Sequence, residues 1–370
     1  MHLHTPLYSE HIALSAKMGP FAGYDMPIQY ASGVIKEHEW TRERAGLFDV
    51  SHMGQAVVSG AGAAEFLSRL TPSSFLKAPV GRAKYTVLTN EQGGIIDDLI
   101  VTRMAEEAFF VVFNAGRKAI DIAWFKKHLP PGVTFAEMAD HALVALQGPK
   151  AEAVLAKEFT DSALAAMPYM TMKQAHWNGI PVGISRLGYT GEDGFEISVP
   201  ASQAVAFWHA LLAHGDVQPI GLAARDSLRL EMGYPLYGHD LTEDITPVEA
   251  GLGWVMRKGH QTYIGADHMP AVASRKRIGV ALTEPGIARE GCAIYVEETR
   301  VGELTSGGFS PTLKRAIGQG YVADAYAHNG QKIHVEVRGK KIAAEIVALP
   351  FVPAKTKPST LEPSKEKKYG

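Results

Sequence analysis

The feature that most constrains this chain is a change of grammar near Arg277. Before it, β-branched and aromatic runs alternate with stretches of helical spacing. After it, strands follow one another without a helix: Ile278 to Thr283, Ala293 to Val296, Val301 to Thr305, Gly318 to Val322, Ile333 to Val337 and Ile342 to Val347. Short strands with no helix to cover them bury their apolar faces by closing into a barrel or stacking as a sandwich, so residues 277–352 are expected to form a separate all-β C-terminal domain. The segment 353–370 is rich in Lys, Pro and Ser, cannot build a core, and is expected to be a flexible tail.

Upstream, Gln55 to Ser59 reads as a strand and Ala63 to Leu70 has helical spacing. Tyr85 to Leu88, Leu99 to Thr102 and Phe109 to Phe113 read as antiparallel strands, and Arg117 to Leu129 as a helix closed by Pro130-Pro131-Gly132. The grammar then repeats. A buried strand, Leu143 to Leu146, ends at Gln147-Gly148-Pro149 before a helix from Lys150 to Glu158. Pro181 to Leu187 and Phe195 to Val199 form a hairpin, and helices follow at Gln203 to His214 and Leu222 to Glu231. At 370 residues, two or three domains are the natural expectation.

Composition narrows the function. Lys plus Arg is 37 against 39 Asp plus Glu, a formal net charge of −2, which gives no electrostatic footprint for nucleic acid or an acidic membrane surface. No apolar stretch reaches the ~20 residues of a membrane span, and the N-terminal residues show neither the basic leader nor the apolar core of a signal peptide. The single cysteine, Cys292, excludes an internal disulfide or multi-cysteine metal site and reads as a packing residue. A cytoplasmic protein is expected. P-loop, HExxH, CxxC and G-x-S-x-G patterns are absent. Gly188, Gly191 and Gly194 sit inside a hairpin and make a poor dinucleotide fingerprint. Ser51 and His52 are adjacent on an extended segment, point to opposite sides, and make a poor hydrolase pair.

Three stretches concentrate chemistry. In Gly93-Gly94-Ile95-Ile96-Asp97-Asp98-Leu99-Ile100 a glycine turn leads two adjacent carboxylates into an apolar strand. Period-2 alternation puts Asp97 and Asp98 on opposite faces, so only one can enter a given pocket. A carboxylate among apolar neighbours is costly unless paired or functional, which leaves a catalytic group or a solvated turn residue as the readings. The glycine-rich loop Gly188 to Gly194 lets backbone approach a ligand closely, and Glu196 on the following strand can accept paired hydrogen bonds from an amino-pyrimidine edge or lie on an exposed face. Arg225 and Arg229, four apart, share one helix face, either as a surface ladder with Asp226 and Glu231 or as buried guanidinium groups.

Together these stretches resemble the glycine cleavage T-protein family. Phe48-Asp49-Val50-Ser51-His52-Met53, Gln147-Gly148-Pro149, Tyr237-Gly238-His239-Asp240, Thr305 to Thr312 and Pro350-Phe351-Val352 match family signatures in family order. The resemblance implies an α+β fold of three domains in a cloverleaf-like arrangement around a central channel, with a C-terminal all-β barrel domain. Residues 1–270 would form the folate-binding aminomethyltransferase region as two intertwined α+β subdomains, the second roughly 52–140. It also implies transfer of the methylene carbon from an aminomethyl-lipoyl H-protein to tetrahydrofolate, with release of ammonia. The partners implied are lipoylated H-protein and the co-substrate tetrahydrofolate, with no metal and no flavin.

By the same resemblance Asp98 is the catalytic carboxylate. Glu196 reads the pterin ring with Arg225 beside it, and Met53, Tyr85, Asn114 and Tyr189 line the folate pocket. Relatives often carry an Arg or Tyr just after the Pro-Phe-Val block; here the segment is Pro353-Ala354-Lys355-Thr356-Lys357, which leaves Lys355 or Lys357 for the folate tail. The alternative on the same fold is a folate-dependent demethylase of a small methylated compound. A non-catalytic folate-binding protein is disfavoured by the flank of Cys292.

Overall fold

The structure is a computed structural model that describes residues 2–159 and 163–358. Two mixed layers precede the barrel. A six-stranded sheet runs in the order Thr171–Trp177, Ile180–Arg186, Gly194–Pro200, His141–Gln147, Ala45–Asp49 and Val217–Pro219. A five-stranded sheet runs Ala83–Thr89, Ile95–Ala105, Ala108–Phe113, Gly54–Ser59 and Thr134–Glu137. The second sheet is drawn entirely from chain that falls between two neighbouring strands of the first, Ala45–Asp49 and His141–Gln147, so it is an insertion around which the first sheet closes.

Helices cover the far face of each sheet and apolar side chains fill the gap between the layers. Phe207, Trp208 and Leu211 of the helix Ala204–Leu212 are buried with Leu146, Phe195 and Ile197 of the six-stranded sheet. Phe66, Leu67 and Leu70 of the helix Ala63–Leu70 pack with Leu99, Val101 and Phe109 of the other. Phe48, Val50, Phe110, Val112, Leu143, Ala145 and Leu228 form a third cluster that joins the layers.

The six strands after Arg275 close into an antiparallel barrel in the order Arg275–Leu282, Arg315–Ala323, Thr299–Ser310, Ala293–Val296, Lys332–Val337 and Lys340–Val347. Closure removes both sheet edges. The expected strand-only domain is therefore a barrel, and the partly buried Cys292 packs against its core as expected. The barrel is latched to the rest by Glu231, the last residue of the helix Leu222–Glu231. Its fully buried carboxylate accepts from Arg42 Nη2 at 2.8 Å, Ser310 Oγ at 2.5 Å, Thr312 Oγ1 at 2.8 Å and the Thr312 backbone at 3.1 Å.

The tail does not begin where composition suggested. Beyond Val352 the backbone N–H of Lys355 bonds the carbonyl of Gly191 at 2.7 Å, and Lys355 pairs in parallel with Glu192. Low apolar content excludes a core, but backbone and charge contacts need none, and the backbone N–H of Lys357 also reaches the glycine-rich loop, at Asp193 Oδ1 3.4 Å away. Residues 359–370 of the expected tail lie outside the described residues.

Both glycines before the aspartate pair are required by their surroundings. Gly93 has φ +83°, and a Cβ on Gly94 would stand 1.7 Å from the carbonyl oxygen of Glu243. This contact lets Ile95 N–H bond the carbonyl of Ile245 at 3.0 Å, fixing the start of the aspartate strand. Gly94→Ala is expected to push the 243–245 segment away at a cost of about 1–3 kcal/mol, read as a lower melting temperature.

Candidate active site

The two aspartates leave the glycine turn on opposite faces of the strand Ile95–Ala105, as alternation requires. Asp97 is fully buried and Asp98 retains partial exposure. Asp98 faces Tyr85 on the neighbouring strand, whose hydroxyl donates to its Oδ2 at 2.9 Å. Asn114, at the end of the strand Ala108–Phe113, holds both acids. Its Nδ2 donates to Asp98 Oδ1 at 2.7 Å and Asp97 Oδ1 at 2.9 Å, and its backbone N–H reaches Asp97 Oδ2 at 2.9 Å.

Burial and the neighbouring Asp97 charge push the Asp98 carboxyl up to about 7, against the opposing bonds from Tyr85 and Asn114. A carboxyl that changes charge near neutrality can both take and return a proton at working pH, which is the property a general acid–base group needs.

Glu196, Tyr189 and Arg225 come from three further places. Glu196 lies on the strand Gly194–Pro200, Tyr189 on the glycine-rich loop, and Arg225 on the helix Leu222–Glu231. The loop is fixed by Gln147, which donates to the Leu187 carbonyl at 2.9 Å and accepts from Thr190 Oγ1 at 2.8 Å. A Cβ on Gly188 would stand 1.9 Å from the Gln147 side-chain oxygen, so a larger residue there would displace the side chain that fixes the loop. Arg225 lies over the Tyr189 ring, 4.9 Å from its centre, and its Nη1 is buried without a partner among the described residues. Burial raises the Glu196 carboxyl and the charge of Arg225 pulls it back. Tyr189 hydroxyl donates to the Pro235 carbonyl, and the ring stacks on Tyr234 at 5.7 Å.

The structure thus brings the expected residues into two linked groups. Asp98, Tyr85 and Asn114 are joined by hydrogen bonds; Tyr189, Arg225 and Glu196 are joined by ring contact and charge. Tyr189 lies within the electrostatic reach of both groups: burial raises its hydroxyl, and the charges of Arg229, Asp98, Arg225 and Asp240 all act on it. Glu196 lines a crevice between the two sheets with Ile100, Thr102, Phe110, Val112 and Leu187. Met53 makes no polar link to either group and packs with the apolar cluster between the sheets.

Arg229 separates from Arg225 in role, although the two share a helix face. It is buried and bonds Asp240 at 2.8 Å and Ser306 at 3.0 Å, which makes it a tie to the barrel. Lys355 is engaged as well, with Nζ 3.2 Å from Glu192, and Lys357 Nζ lies 3.1 Å from Glu152.

Sequence reasoning missed two members of this neighbourhood, Trp254 and Asp121, and weighed a third, His52, only as half of a hydrolase pair and as part of a signature block. Trp254, 69% exposed, stacks on Tyr85 with ring centres 5.6 Å apart; it sits in the single 3-10 turn Gly253–Val255, too short to carry a periodic pattern. His52 is buried with Nδ1 unpartnered among the described residues, and burial holds it down at about 3, so it is neutral. Asp121 lies buried in the first turn of the helix Lys118–His128, where an acid reads as an ordinary helix-start residue.

Comparison with known proteins shows the family and the fold. The family described as GCVT N-terminal domain matches residues 7–260, and the glycine cleavage T-protein C-terminal barrel domain matches 275–353. The aminomethyltransferase of Prosthecochloris aestuarii is 42% identical over 358 residues, covering 94% of this chain and 98% of its own. The mitochondrial aminomethyltransferase of Dictyostelium discoideum is 41% identical over 377 residues, covering 95% and 93%. The crystal structure of the glycine cleavage system aminomethyltransferase T from Bartonella henselae superposes with a TM-score of 0.92 at 40% identity, covering 96% of this chain and all of that one. These relatives support the aminomethyltransferase reading over the demethylase alternative. No helix among the described residues is long and apolar enough to cross a membrane. The chain belongs to the glycine cleavage T-protein family of aminomethyltransferases.

Proposed function

We propose that Asp98 is the catalytic carboxylate of a tetrahydrofolate-dependent aminomethyl transfer, with folate lying between Glu196 and Asp98. The observation that carries this reading is the pair of linked groups. A carboxyl that titrates near neutrality stands at one end, and a carboxylate beside a guanidinium with an unpartnered Nη1 stands at the other. Glu196 accepts hydrogen bonds from the amino-pyrimidine edge of the pterin, Arg225 supplies donors, and Tyr85 and Tyr189 give the ring system contact area with a polar handle. Met53 and Asn114 complete the lining.

The folate N10 is an aniline-like amine and a weak nucleophile. Asp98 as carboxylate orients it, offsets the positive charge that develops as it attacks the aminomethyl carbon, and accepts the proton it sheds. Ammonia leaves, giving methylenetetrahydrofolate and a dihydrolipoyl arm. The carbon ends bonded to both N10 and N5, and its C–N bond to the amino group and its C–S bond to the lipoyl arm break. One of the two protons shed by the folate nitrogens leaves with ammonia, and the other goes to the sulfur of the dihydrolipoyl arm. The carbon donor is lipoylated H-protein, and the setting is the cytoplasm.

The deciding experiment measures methylenetetrahydrofolate formation from aminomethyl-lipoyl H-protein and tetrahydrofolate. Turnover supports the reading; measurable folate binding without turnover overturns it. Glu196→Ala is expected to weaken tetrahydrofolate binding by about 1.5–3 kcal/mol, the worth of a hydrogen-bonded charged group, with Asp98 chemistry intact. Titration calorimetry checks this, and an unchanged dissociation constant removes Glu196 from the pocket.

A further inference from the structure

Behind Asp98 stands a second acid pair that the proposed reaction does not use. Asp97 and Asp121 are both fully buried, one on the strand Ile95–Ala105 and the other on the helix Lys118–His128. Asp97 accepts two bonds from Asn114, at 2.9 Å each. Neither oxygen of Asp121 is reached by an N–H or O–H donor among the described residues. The nearby cation, Arg117, is committed elsewhere: Nε donates to the Ile96 carbonyl at 2.9 Å, Nη2 pairs with Glu243, and the guanidinium lies over Tyr237 at 4.9 Å.

The two side chains are in hydrogen-bonding contact with each other. Two buried carboxylates in contact cannot both stay ionised when one of them has no donor, because each raises the cost of charging the other. A carboxyl with no donor to accept from is satisfied when it is itself the donor. We propose that Asp121 is a positioning residue for the reaction: it shares one proton with Asp97 and so fixes a single negative charge behind Asp98. Burial and the Asp97 charge, opposed by Arg117, push Asp121 up to about 11, in keeping with that assignment. Asn114 then transmits the arrangement, since the same Nδ2 group bonds both Asp97 and Asp98. The charged and titratable groups facing this cluster are Tyr85 and Tyr189 around Asp98, and Arg117, Tyr237 and Glu243 around the acid pair.

With the proton in place, Asp98 meets one charge from behind and titrates near neutrality. With Asp121 replaced by an apolar residue, Asp97 keeps its two bonds from Asn114 but loses the proton it shared. Burial then drives it toward the neutral form, the charge behind Asp98 weakens, and Asp98 becomes a weaker base. The connection to turnover rests on Asp98 being the catalytic carboxylate; the proton sharing does not.

The test therefore has two readouts on the full chain. In Asp98→Asn at pH 8, infrared spectroscopy is expected to show the C=O stretch of one protonated buried carboxyl, lost when Asp121→Asn is added. No such band, or a band that survives Asp121→Asn, overturns the inference. In the otherwise native chain, the ascending limb of the kcat/KM–pH profile is expected to keep its midpoint in Asp121→Asn, whose amide still donates to Asp97. It is expected to fall by about one pH unit, a tenfold shift in proton affinity, in Asp121→Leu. Equal displacement in both variants, or none in either, means that Asp121 only fills space. If Asp98→Asn retains full activity, the catalytic reading fails while the infrared result still judges the pair.

Discussion

Asp98→Asn is expected to lose tenfold to a thousandfold in turnover, roughly 1.4–4 kcal/mol of barrier, while gaining stability at alkaline pH. The loss follows from chemistry: the amide keeps the shape, accepts from Asn114 and still contacts Tyr85, but cannot take a proton from the attacking amine. The gain follows from linkage. The folded-state carboxyl is raised from 3.8 to about 7, so its contribution to stability is fully present below 3.8 and is lost as pH rises through 7. The parent therefore bears the cost of a buried charge at pH 8 that the amide variant lacks, on the order of 1–4 kcal/mol. Melting temperatures of the two proteins are expected to converge at pH 4 and to separate in favour of Asp98→Asn by pH 8.

Kinetics supply the other half of that experiment. The ascending limb of kcat/KM in the parent is expected near pH 7 and is expected to vanish in the variant. Comparable kinetics in parent and variant reject Asp98 as the key group. A variant that is both inactive and less stable at pH 8 would show that the carboxylate is structural, because only a strained functional group yields stability when it is neutralised.

The second large effect concerns the latch between barrel and sheets. Glu231→Ala takes from Arg42 one of its two carboxylate partners, the one at 2.8 Å, leaving Glu192 at 3.1 Å, and takes from His38 its carboxylate neighbour at 3.2 Å, all inside the protein. Removing one member of a buried ion pair costs about 3–5 kcal/mol, because the remaining charge keeps its desolvation penalty. Since Arg42 keeps Glu192, the lower end of that range is expected. Burial alone would raise the Glu231 carboxyl. The bonds from His38 and Ser310 and the charge of Arg42 outweigh burial and hold it at about 2.

The stability this group supplies is thus present above 4.5 and lost as pH falls toward 2. Thermal melts from pH 7 down to pH 2 are expected to show a steep acid loss in the parent and a shallower one, from a lower start, in Glu231→Ala. The same helix carries Arg225, so folate affinity is expected to fall with stability. A variant that melts like the parent across this range would show that Glu231 is not what holds the barrel, leaving the Arg229 tie and the apolar contacts to do so.

Sequence by itself determined the elements whose burial is written in periodicity. The six barrel strands, the glycine turn before the aspartates and the hairpin around the glycine-rich loop were all legible, because alternation and turn chemistry are local. The order of signature blocks gave the family, and alternation alone showed that only one of Asp97 and Asp98 could face a given pocket.

What sequence reasoning left unread was local structure whose meaning lies elsewhere in the chain. The helix Val34–Glu43 was not marked as a helix because its buried residues are Glu37, His38 and Thr41, and no apolar stripe announces it. Its Glu37 is satisfied by backbone N–H groups of Tyr30 and of Gly221, far along the chain. The strand Ala45–Asp49 is buried at every position, because it lies inside a sheet completed by strands about a hundred residues later, so alternation cannot reveal it.

Arg225 and Arg229 carry the same spacing signal, yet tertiary contacts send one beneath Tyr189 and the other to Asp240 in a tie to the barrel. The tail past Val352 docks through backbone and charge contacts that composition does not register. The charge state of Asp98 is likewise a tertiary property. Residue type makes it an acid, but Asp97, Tyr85 and Asn114, gathered from three strand segments, bring its titration near neutrality, because electrostatic energy depends on distance and burial rather than on order along the chain.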